Sequence, residues 1–576
     1  MTRYANLSIL VLFLLVIVAP AVSPPPAQAQ TTPDFRFGAT EAFWAPEDAA
    51  ELGIGWERIL FYWRELQPAG PDDWNTLHVL EEWLNEANAQ GRTVVGLLKN
   101  TAPWASEDGT EAGVPRGLYL PIDDPDNLWA GFLRRVAHYY SVRGVHHWII
   151  WNEPEIDRGV FGFEFAGSAE DYYQLLKVAY QVLKAEDPEA VIHLAGLTWW
   201  HDPGYLNRFF QIVTSDPEGR ENNYFFDTIS LHIYFRVETI ATIINSVEAI
   251  QSRWGLDKPI WINETNTSPN RDPLWPILRP QFQVDLEQQA WFIIQGTALA
   301  FASGAESVSV YKMMDVLLPP GGEPFGLLRP DFSRRPAYDA YRTTIEYLRD
   351  FRGRPDLQQA ADYYVITFFR PQGITRVLWA RDSADVTVQL PALAESATLV
   401  GVTGETQQLP AQNGVYTLEL ENARCYGECL VGGRPIIIFE EGVGLEMSPL
   451  PTAVQLGAAV PVPTFAFDTI LTPTPTSEPT ETPSATPTTP PTATFTPLPT
   501  ATETPLPTIT PSPTETAVPT PEPTLVPAVE TGTAEPSPTD GSLSSIIMDQ
   551  IGLLVLGIGG GLLIGLIAYI IRLRRG

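Results

Sequence analysis

The sequence predicts an α/β protein whose main domain, residues 33–350, is a TIM (β/α)8 barrel. Short apolar, β-branched runs alternate there with longer amphipathic stretches, which is typical of a parallel sheet with helices between its strands. Eight such pairs fit within roughly 310 residues, the usual size of this barrel. No glycine-rich phosphate loop follows the first strand, which weakens a nucleotide-binding alternative.

The individual elements follow from periodicity and from stop signals. Strands are predicted at residues 35–39, 56–61, 93–98, 146–151, 191–195, 226–232, 258–263 and 307–311, where the apolar runs are short. Helices are predicted at residues 76–90, 126–141, 168–186, 284–302 and 337–348, with another ending near residue 250. Gly91 stops the first of these helices, and Asp187 followed by Pro188 stops the third.

Two of the predicted strands end in a glutamate. Asn152 and Glu153 end the fourth strand just before Pro154, which cannot donate to a strand ladder. Asn263 and Glu264 end the seventh. Parallel strands of a barrel present their carboxyl ends on one face, where such barrels carry their sites, so both glutamates are expected there. Paired carboxylates are the minimum that cleavage of a glycosidic bond requires.

The two motifs, Trp-Asn-Glu-Pro and Trp-Ile-Asn-Glu-Thr, together resemble the clan-A retaining glycoside hydrolases. This (β/α)8 group includes cellulases, β-xylosidases, mannanases and β-galactosidases, and the resemblance covers roughly the first 350 residues. It implies that Glu153 is the general acid/base, that Glu264 is the nucleophile and that Asn152 hydrogen-bonds the sugar 2-hydroxyl.

The resemblance also implies supporting residues at other strand ends. Arg58 matches an arginine on strand two that steadies the nucleophile, with a barrel ion pair as the alternative. His232 and Tyr234 end strand six, where the clan places such residues beside the nucleophile, and packing is the alternative for both. A hydroxyl at Tyr234 would orient Glu264.

Aromatic residues near strand ends are candidates for contact with sugar rings. Trp104 follows strand three and Trp199 follows strand five, and either could instead be a buried core residue. At the end of strand eight the clan usually has a tryptophan, whereas this sequence has Tyr311 and Lys312. Tyr311 could replace it, or Lys312 could reach an anionic substituent such as a uronate, which leaves the substrate class open.

Composition excludes several kinds of partner. Acidic residues outnumber basic ones 68 to 36, and the formal net charge of −32 argues against binding nucleic acid. Two cysteines are too few for a zinc cluster. Glu155 and Asp157 show no metal-ligand spacing and are interpreted as loop charges. We therefore expect a carbohydrate partner, with no metal and no cofactor.

A β-rich region, residues 351–445, follows the barrel. Its short strand-like runs are separated by Gly, Pro, Asp and Asn, which predicts a small antiparallel β-sandwich. A stabilising role is expected for it, with glycan binding as an alternative. Cys425 and Cys429 are expected to form a local disulfide outside the cell, the alternative being two free thiols.

Both ends of the chain carry membrane signals. Residues 1–29 have the basic start, apolar run and small-residue cleavage site of a signal peptide. Residues 446–544 predict a disordered stalk, since 42 of the 70 residues from 471 to 540 are Pro or Thr. Residues 545–572 predict a transmembrane helix, and 573–576 a cytoplasmic tail. The barrel is thus expected at the cell surface, on a single-pass membrane protein.

The sequence as a whole predicts an extracellular retaining glycoside hydrolase, of β-xylosidase or cellulase-like type, that acts on β-linked oligo- or polysaccharides. One alternative is a catalytically silent ectodomain that binds or adheres to glycans. Another is a stalked structural protein whose barrel is only a spacer. The presence of both glutamates with Asn152 favours activity, because a binder needs neither an acid nor a nucleophile.

Overall fold

The computed structural model describes residues 32–277, 282–316, 324–443 and 452–456. These residues form one eight-stranded parallel sheet and two antiparallel sheets. The predicted signal peptide, most of the predicted stalk and the predicted membrane helix at 545–572 lie outside the described residues. No helix within the described part of the chain is long and apolar enough to cross a bilayer.

The parallel strands close into a barrel. They are β1 (Asp34–Thr40), β2 (Ile54–Tyr62), β3 (Thr93–Lys99), β4 (His147–Ile150), β5 (Val191–His193), β6 (Ile229–Tyr234), β7 (Ile260–Asn266) and β8 (Ala305–Val310). Strands adjacent in sequence are adjacent in the sheet, and β1 pairs with β8. Between β5 and β6, parallel bridges join His193 to Thr228 and Leu197 to Leu231. The predicted (β/α)8 barrel is confirmed.

Helices follow the strands in turn. They are α1 (Pro46–Leu52), α2 (Trp63–Leu66), α3 (Glu81–Ala89), α4 (Leu128–Tyr140), α5 (Ala169–Glu186), α6 (Tyr205–Ser215), α7 (Val237–Trp254), α8 (Leu286–Ser303) and α9 (Pro336–Leu348). Capping boxes start two of them, at Ser168 with Asp171 for α5 and at Asp285 with Gln288 for α8. In each box the side chain at the cap accepts from a backbone N–H that the helix itself leaves unpaired.

Every residue of helix α8 from Gln288 to Ser303 is buried. A helix that is apolar on every side must be covered on every side, and here the second domain supplies part of the cover. The Gln288 side chain donates to the backbone oxygen of Arg424, and the Gln295 side chain donates to that of Gly433, both at 2.6 Å. The second domain is therefore fastened to the barrel through α8.

The second domain is a two-sheet β-sandwich. Its strands are β9 (Asp356–Gln359), β10 (Tyr363–Arg370), β11 (Gly373–Ala380), β12 (Val386–Pro391), β13 (Ser396–Val400), β14 (Thr406–Pro410), β15 (Val415–Leu420), β16 (Ile436–Glu441) and β17 (Val454–Leu456). The six-stranded sheet runs β14-β13-β16-β11-β10-β9, and the three-stranded sheet runs β15-β12-β17. Side chains of both sheets share one apolar core. The predicted sandwich is confirmed, and so is the disulfide between Cys425 and Cys429.

Strand β17 lies beyond the predicted end of this domain at residue 445. It pairs with β12, so that Gln455 faces Val388 in the sheet. The preceding Ala453 is 5% exposed and belongs to the core of the sandwich, whereas Val454 is 57% exposed. The backbone pairing with β12 therefore holds this strand, which the sequence assigned to the Pro/Thr-rich stalk.

Candidate active site

A cavity of about 740 Å³ opens at the carboxyl ends of the barrel strands. Strands β2, β3, β6 and β7 contribute residues to it, as do the loops after β4, β5, β6, β7 and β8. Seven of the nine residues predicted from the sequence line it: Arg58, Asn152, Glu153, His232, Tyr234, Glu264 and Tyr311. The structure thus gathers in one place residues that are up to 253 positions apart, from 58 to 311.

The two glutamates face each other across this cavity. One carboxylate oxygen of Glu153, one of Glu264 and a ring nitrogen of His232 all lie within 4.8 Å of one another. This spacing would also suit a metal ion, but Arg58 already forms an ion pair with Oε1 of Glu264, which disfavours a further cation there. A small group placed between the carboxylates would contact both.

Glu264 is held in its ionised form. Its Oε1 accepts from Arg58 and its Oε2 accepts from the Tyr234 hydroxyl, while Nε2 of His232 lies 3.6 Å from Oε1. Burial alone raises the pKa of Glu264, but the charges of Arg58 and His232 and the Tyr234 hydroxyl bring it below its ordinary value. Glu264 is therefore a carboxylate at neutral pH.

His232 joins the two glutamates. Its ring is 1% exposed, and Nδ1 lies 2.5 Å from Oε1 of Glu153. Burial lowers the pKa of this histidine, yet the neighbouring Glu264 and Glu153 raise it overall. The sequence placed His232 beside Glu264, and the structure adds the hydrogen bond to Glu153.

The backbone around Glu153 is shaped to allow this arrangement. Trp151 and Glu153 have φ angles of 73° and 45°, in the left-handed region that side chains other than glycine rarely adopt. The Glu153 N–H donates to the backbone oxygen of Gly196 at 3.2 Å. A Cβ atom at Gly196 would lie 2.1 Å from Nε2 of His232, so only glycine leaves room for the ring.

Three aromatic rings, those of Tyr234, Tyr311 and Phe325, form an aromatic wall of the cavity beside Glu264. The rings of Tyr234, Tyr311 and Phe325 are 5.3–5.9 Å apart between centroids, in tilted or edge-to-face contacts. Tyr311 follows β8, and its peptide bond to Lys312 is cis. Lys312 does not line the cavity, since its Nζ lies 3.4 Å from Oε2 of Glu41 instead. Of the two sequence interpretations at this position, the structure favours the wall residue Tyr311.

Two predicted aromatic contacts are placed elsewhere. The Trp104 ring packs edge-to-face on Trp63, and its Nε1 donates to the backbone oxygen of Gln67 at 2.6 Å. Trp199 packs against the barrel core, whereas its neighbour Trp200 lines the cavity and is 54% exposed. Neither Trp104 nor Trp199 lines the cavity, because each is turned towards the core.

Glu155 is not the solvated loop charge that the sequence suggested. It is 6% exposed and accepts hydrogen bonds from the backbone N–H and hydroxyl of Thr198, at 2.5 and 2.8 Å. Burial raises its pKa to about 7. Glu155 thus ties the loop after β4 to the segment after β5, behind the cavity wall.

The sequence did not indicate three charged residues that line the cavity: Lys99, Glu164 and Arg236. Lys99, the last residue of β3, pairs through Nζ with Oε1 of Glu164 at 2.5 Å. Oε2 of Glu164 accepts from Nδ2 of Asn152 at 3.0 Å. The position of Lys99 at the carboxyl end of a strand could have indicated it as a cavity residue. Glu164 lies in the irregular loop between β4 and α5, where no periodic pattern marks it.

No protein-family model and no curated protein matches this sequence. A family 39 glycoside hydrolase from the gut symbiont Bacteroides cellulosilyticus WH2 superposes with a TM-score of 0.54 at 16% identity, over 71% of this chain and 81% of that chain. A family 30 subfamily 8 xylanase from Clostridium acetobutylicum gives 0.48 at 13% identity, over 71% and 97%. A GH39 β-xylosidase from Caulobacter crescentus gives 0.46 at 16%, over 72% and 96%. The likeness to the first structure shows a shared fold.

Proposed function

We propose that this protein is a retaining glycoside hydrolase that cleaves β-linked oligo- or polysaccharides by double displacement. The observation that carries the proposal is the separation of Glu153 and Glu264, whose nearest carboxylate oxygens lie within 4.8 Å. Retaining enzymes hold their two carboxyl groups about 5–5.5 Å apart, whereas inverting enzymes leave about 6.5–9.5 Å for a water molecule.

Glu264 is the nucleophile in this proposal. It is ionised, and Arg58 and Tyr234 each hold one of its oxygens, which fixes the carboxylate for attack on the anomeric carbon. The attack forms a glycosyl ester at Glu264 while the bond to the leaving oxygen breaks. Glu264 loses its negative charge in that step, because an ester is neutral.

Glu153 is the acid and then the base. Its side chain is 16% exposed, against 8% for Glu264, so it is the more open of the two to a leaving group and to water. Glu153 first gives its proton to the leaving oxygen. It then takes a proton from the water that attacks the anomeric carbon, which releases the sugar and restores Glu264. His232 holds Glu153 in place through both steps.

The same proposal places the barrel outside the cell, on a membrane tether. The signal-peptide pattern in residues 1–29 and the uncharged run before the terminal arginines support this location. The disulfide between Cys425 and Cys429 also supports it, since such bonds persist in oxidising compartments.

The test is hydrolysis of aryl β-glycosides and plant polysaccharides by the purified protein, with the anomeric configuration of the first product read by NMR. We expect a retained configuration. Glu264→Ala should be inactive, and azide should rescue it to give a glycosyl azide of inverted configuration. Hydrolysis at wild-type rates by Glu264→Ala, or an inverted product from the wild type, would rule the proposal out. Binding of glycans without turnover by the wild type would point to the silent ectodomain instead.

A further inference from the structure

A third carboxylate, Glu164, enters the cavity beside the two glutamates. It belongs to the loop between β4 and α5, and its side chain is 29% exposed. It contacts two other lining residues at once: Oε1 lies 2.5 Å from Nζ of Lys99, and Oε2 lies 3.0 Å from Nδ2 of Asn152. No step of the double displacement described above uses Glu164 or Lys99.

Glu164 determines how Asn152 presents its amide. An ionised carboxylate only accepts hydrogen bonds, so the part of the amide that faces it must be the NH2 group. The amide oxygen of Asn152 is then turned away from Glu164. Because Asn152 directly precedes Glu153, its amide presents a fixed donor and acceptor next to the proposed acid/base.

Lys99 and Glu164 form an ion pair in which each compensates the charge of the other. Lys99 is 7% exposed and its Nζ lies 5.6 Å from the centre of the Tyr62 ring, so its charge has little contact with water. Glu164 compensates that charge. Both groups keep unused capacity, since an ammonium carries three donors and a carboxylate has about four acceptor sites. The pair therefore offers donors and acceptors side by side on the cavity wall.

We propose that Glu164 and Lys99 bind neighbouring hydroxyls of the sugar held in the cavity, and that Glu164 is the positioning residue for Asn152. The inference rests on the proposed function and names its substrate class. A hydroxyl can donate to the carboxylate and accept from the ammonium at the same time, so an adjacent donor and acceptor fit a pair of sugar hydroxyls.

The charges of the cavity point to a neutral sugar. Within the described residues, the arginines and lysines that line it are Arg58, Lys99 and Arg236. Each lies within 4 Å of a carboxylate, belonging to Glu264, Glu164 and Glu428 respectively. Among the residues that the structure describes, no arginine or lysine of the cavity is left without a carboxylate partner, and a uronate would lie beside carboxylates of its own sign. Desolvating an unpaired carboxylate is costly, so uronic acids should be rejected.

The first test compares kcat/KM of the wild-type protein on p-nitrophenyl β-D-xyloside, β-D-glucoside, β-D-galactoside, β-D-glucuronide and β-D-galacturonide. We expect the best neutral glycoside to exceed the best uronide by at least about tenfold. A uronide that reacts as fast as the best neutral glycoside, or faster, would overturn the inference while leaving the glycosidase proposal standing. Hydrolysis of none of the five, nor of plant polysaccharides, would remove both.

The second test uses Glu164→Gln, which keeps the shape of the side chain but removes its charge. On the best neutral glycoside we expect kcat/KM to fall roughly 10- to 100-fold, as for the loss of a hydrogen bond to a charged group. On a monodeoxy glycoside that lacks the contacted hydroxyl, the loss of kcat/KM should shrink to about threefold or less. That substrate has already lost its hydrogen bond to Glu164, so the substitution removes no further contact. Lys99→Met should show the same dependence on that hydroxyl.

Glu218→Gln is the matched control. It also removes a carboxylate from a lysine, Lys177 at 2.9 Å, but on the outside of the barrel, and it should leave kcat/KM unchanged. An equal loss for Glu164→Gln on every monodeoxy glycoside would show a structural role only. No loss on any of them would show no role. Either result overturns the inference. If Glu164→Gln does not fold, the same comparison of kcat/KM on the parent and monodeoxy glycosides is made with Lys99→Met.

Discussion

Nδ1 of His232 lies 2.5 Å from Oε1 of Glu153, deep in the barrel mouth where the histidine ring is 1% exposed. Burial alone lowers the pKa of His232, but the charges of Glu264 and Glu153 raise it above the ordinary 6.5. A histidine whose pKa rises on folding stabilises the folded state when it is protonated. This contribution is complete below pH 6.5 and is lost as the pH rises through the raised pKa.

We therefore expect the free energy of unfolding to fall above pH 6.5, and His232→Gln to lack that part of the fall. Urea unfolding of the wild type and of His232→Gln at several pH values between about 6 and 9 measures this pH dependence of the free energy of unfolding. His138→Gln, which changes a histidine that is 66% exposed on α4, is the control for the substitution itself. Parallel curves for the wild type and His232→Gln would contradict the prediction.

Arg58→Leu should damage both stability and activity. The change leaves Glu264 buried, at 6% exposure, without its ion-pair partner, and breaking a buried pair costs about 3–5 kcal/mol. The double variant Arg58→Leu/Glu264→Gln should recover much of that free energy while remaining inactive. Equilibrium unfolding of both variants tests this. A single variant as stable as the wild type would show that Arg58 does not compensate Glu264.

Gly196→Ala is expected to reduce activity, although the substitution neither adds nor removes a charged group. The new Cβ would come within 2.1 Å of Nε2 of His232, so the ring must move and its hydrogen bond to Glu153 must be lost or lengthened. Overpacking of this kind costs about 1–3 kcal/mol. The control is Gly131→Ala in α4, where a Cβ meets nothing within 4 Å and a gain of about 0.5–1 kcal/mol is expected. Thermal unfolding and kcat/KM of both variants provide the comparison.

Arg335→Leu should be among the most destabilising substitutions in the barrel. Arg335 is fully buried and pairs with Asp272 at 3.1 Å and Asp315 at 2.6 Å, while its Nη1 also donates to the backbone oxygen of Gly326. Removing it leaves two buried carboxylates short of a partner, which costs about 3–5 kcal/mol. Arg342→Leu breaks a partly exposed pair with Asp339 and should change stability by about 0–1 kcal/mol. Chemical unfolding measures the free energy of unfolding of both variants. Equal losses for Arg335→Leu and Arg342→Leu would refute the prediction.

The barrel could be predicted because its signals are local. Short apolar runs mark the strands, and the ends of β4 and β7 carry Glu153 and Glu264 in motifs that place them on one face. His232, Tyr234 and Tyr311 lie at or just beside strand ends as well, so the same rule brings them to the cavity. Arg58 lies in the middle of β2, and the resemblance of its motif indicated it.

Lys99 ends the regular strand β3, whereas the position of Glu164 and the different placement of Trp199 and Trp200 depend on irregular backbone. Glu164 lies in a loop whose path sets its direction, and no repeat in the sequence reveals that path. Trp199 and Trp200 are adjacent, yet Trp199 adopts a φ of 65° and packs on the core while Trp200 lines the cavity. A one-residue difference of this kind is decided by backbone conformation and not by residue type.

Trp200 and Phe161 line the cavity on the loops after β5 and β4, and the loop after β4 also carries Glu153, the proposed acid/base. They are 54% and 97% exposed, whereas the wall beside Glu264, with Tyr311 and Phe325, is enclosed. In the proposed mechanism Glu153 protonates the departing oxygen, so the leaving group would lie on the side of Glu153. Exposed rings there can stack on the sugars of a longer leaving group.

Trp200→Ala should therefore lower kcat/KM on an oligosaccharide by about 2- to 10-fold more than on the aryl glycoside of the same sugar, because only the longer substrate reaches the mouth. Initial rates on both substrates measure the difference. Tyr119→Ala is the control, since Tyr119 is 63% exposed and lies outside the cavity lining. An equal loss on the two substrates would mean that Trp200 supports the cavity and does not contact the leaving group.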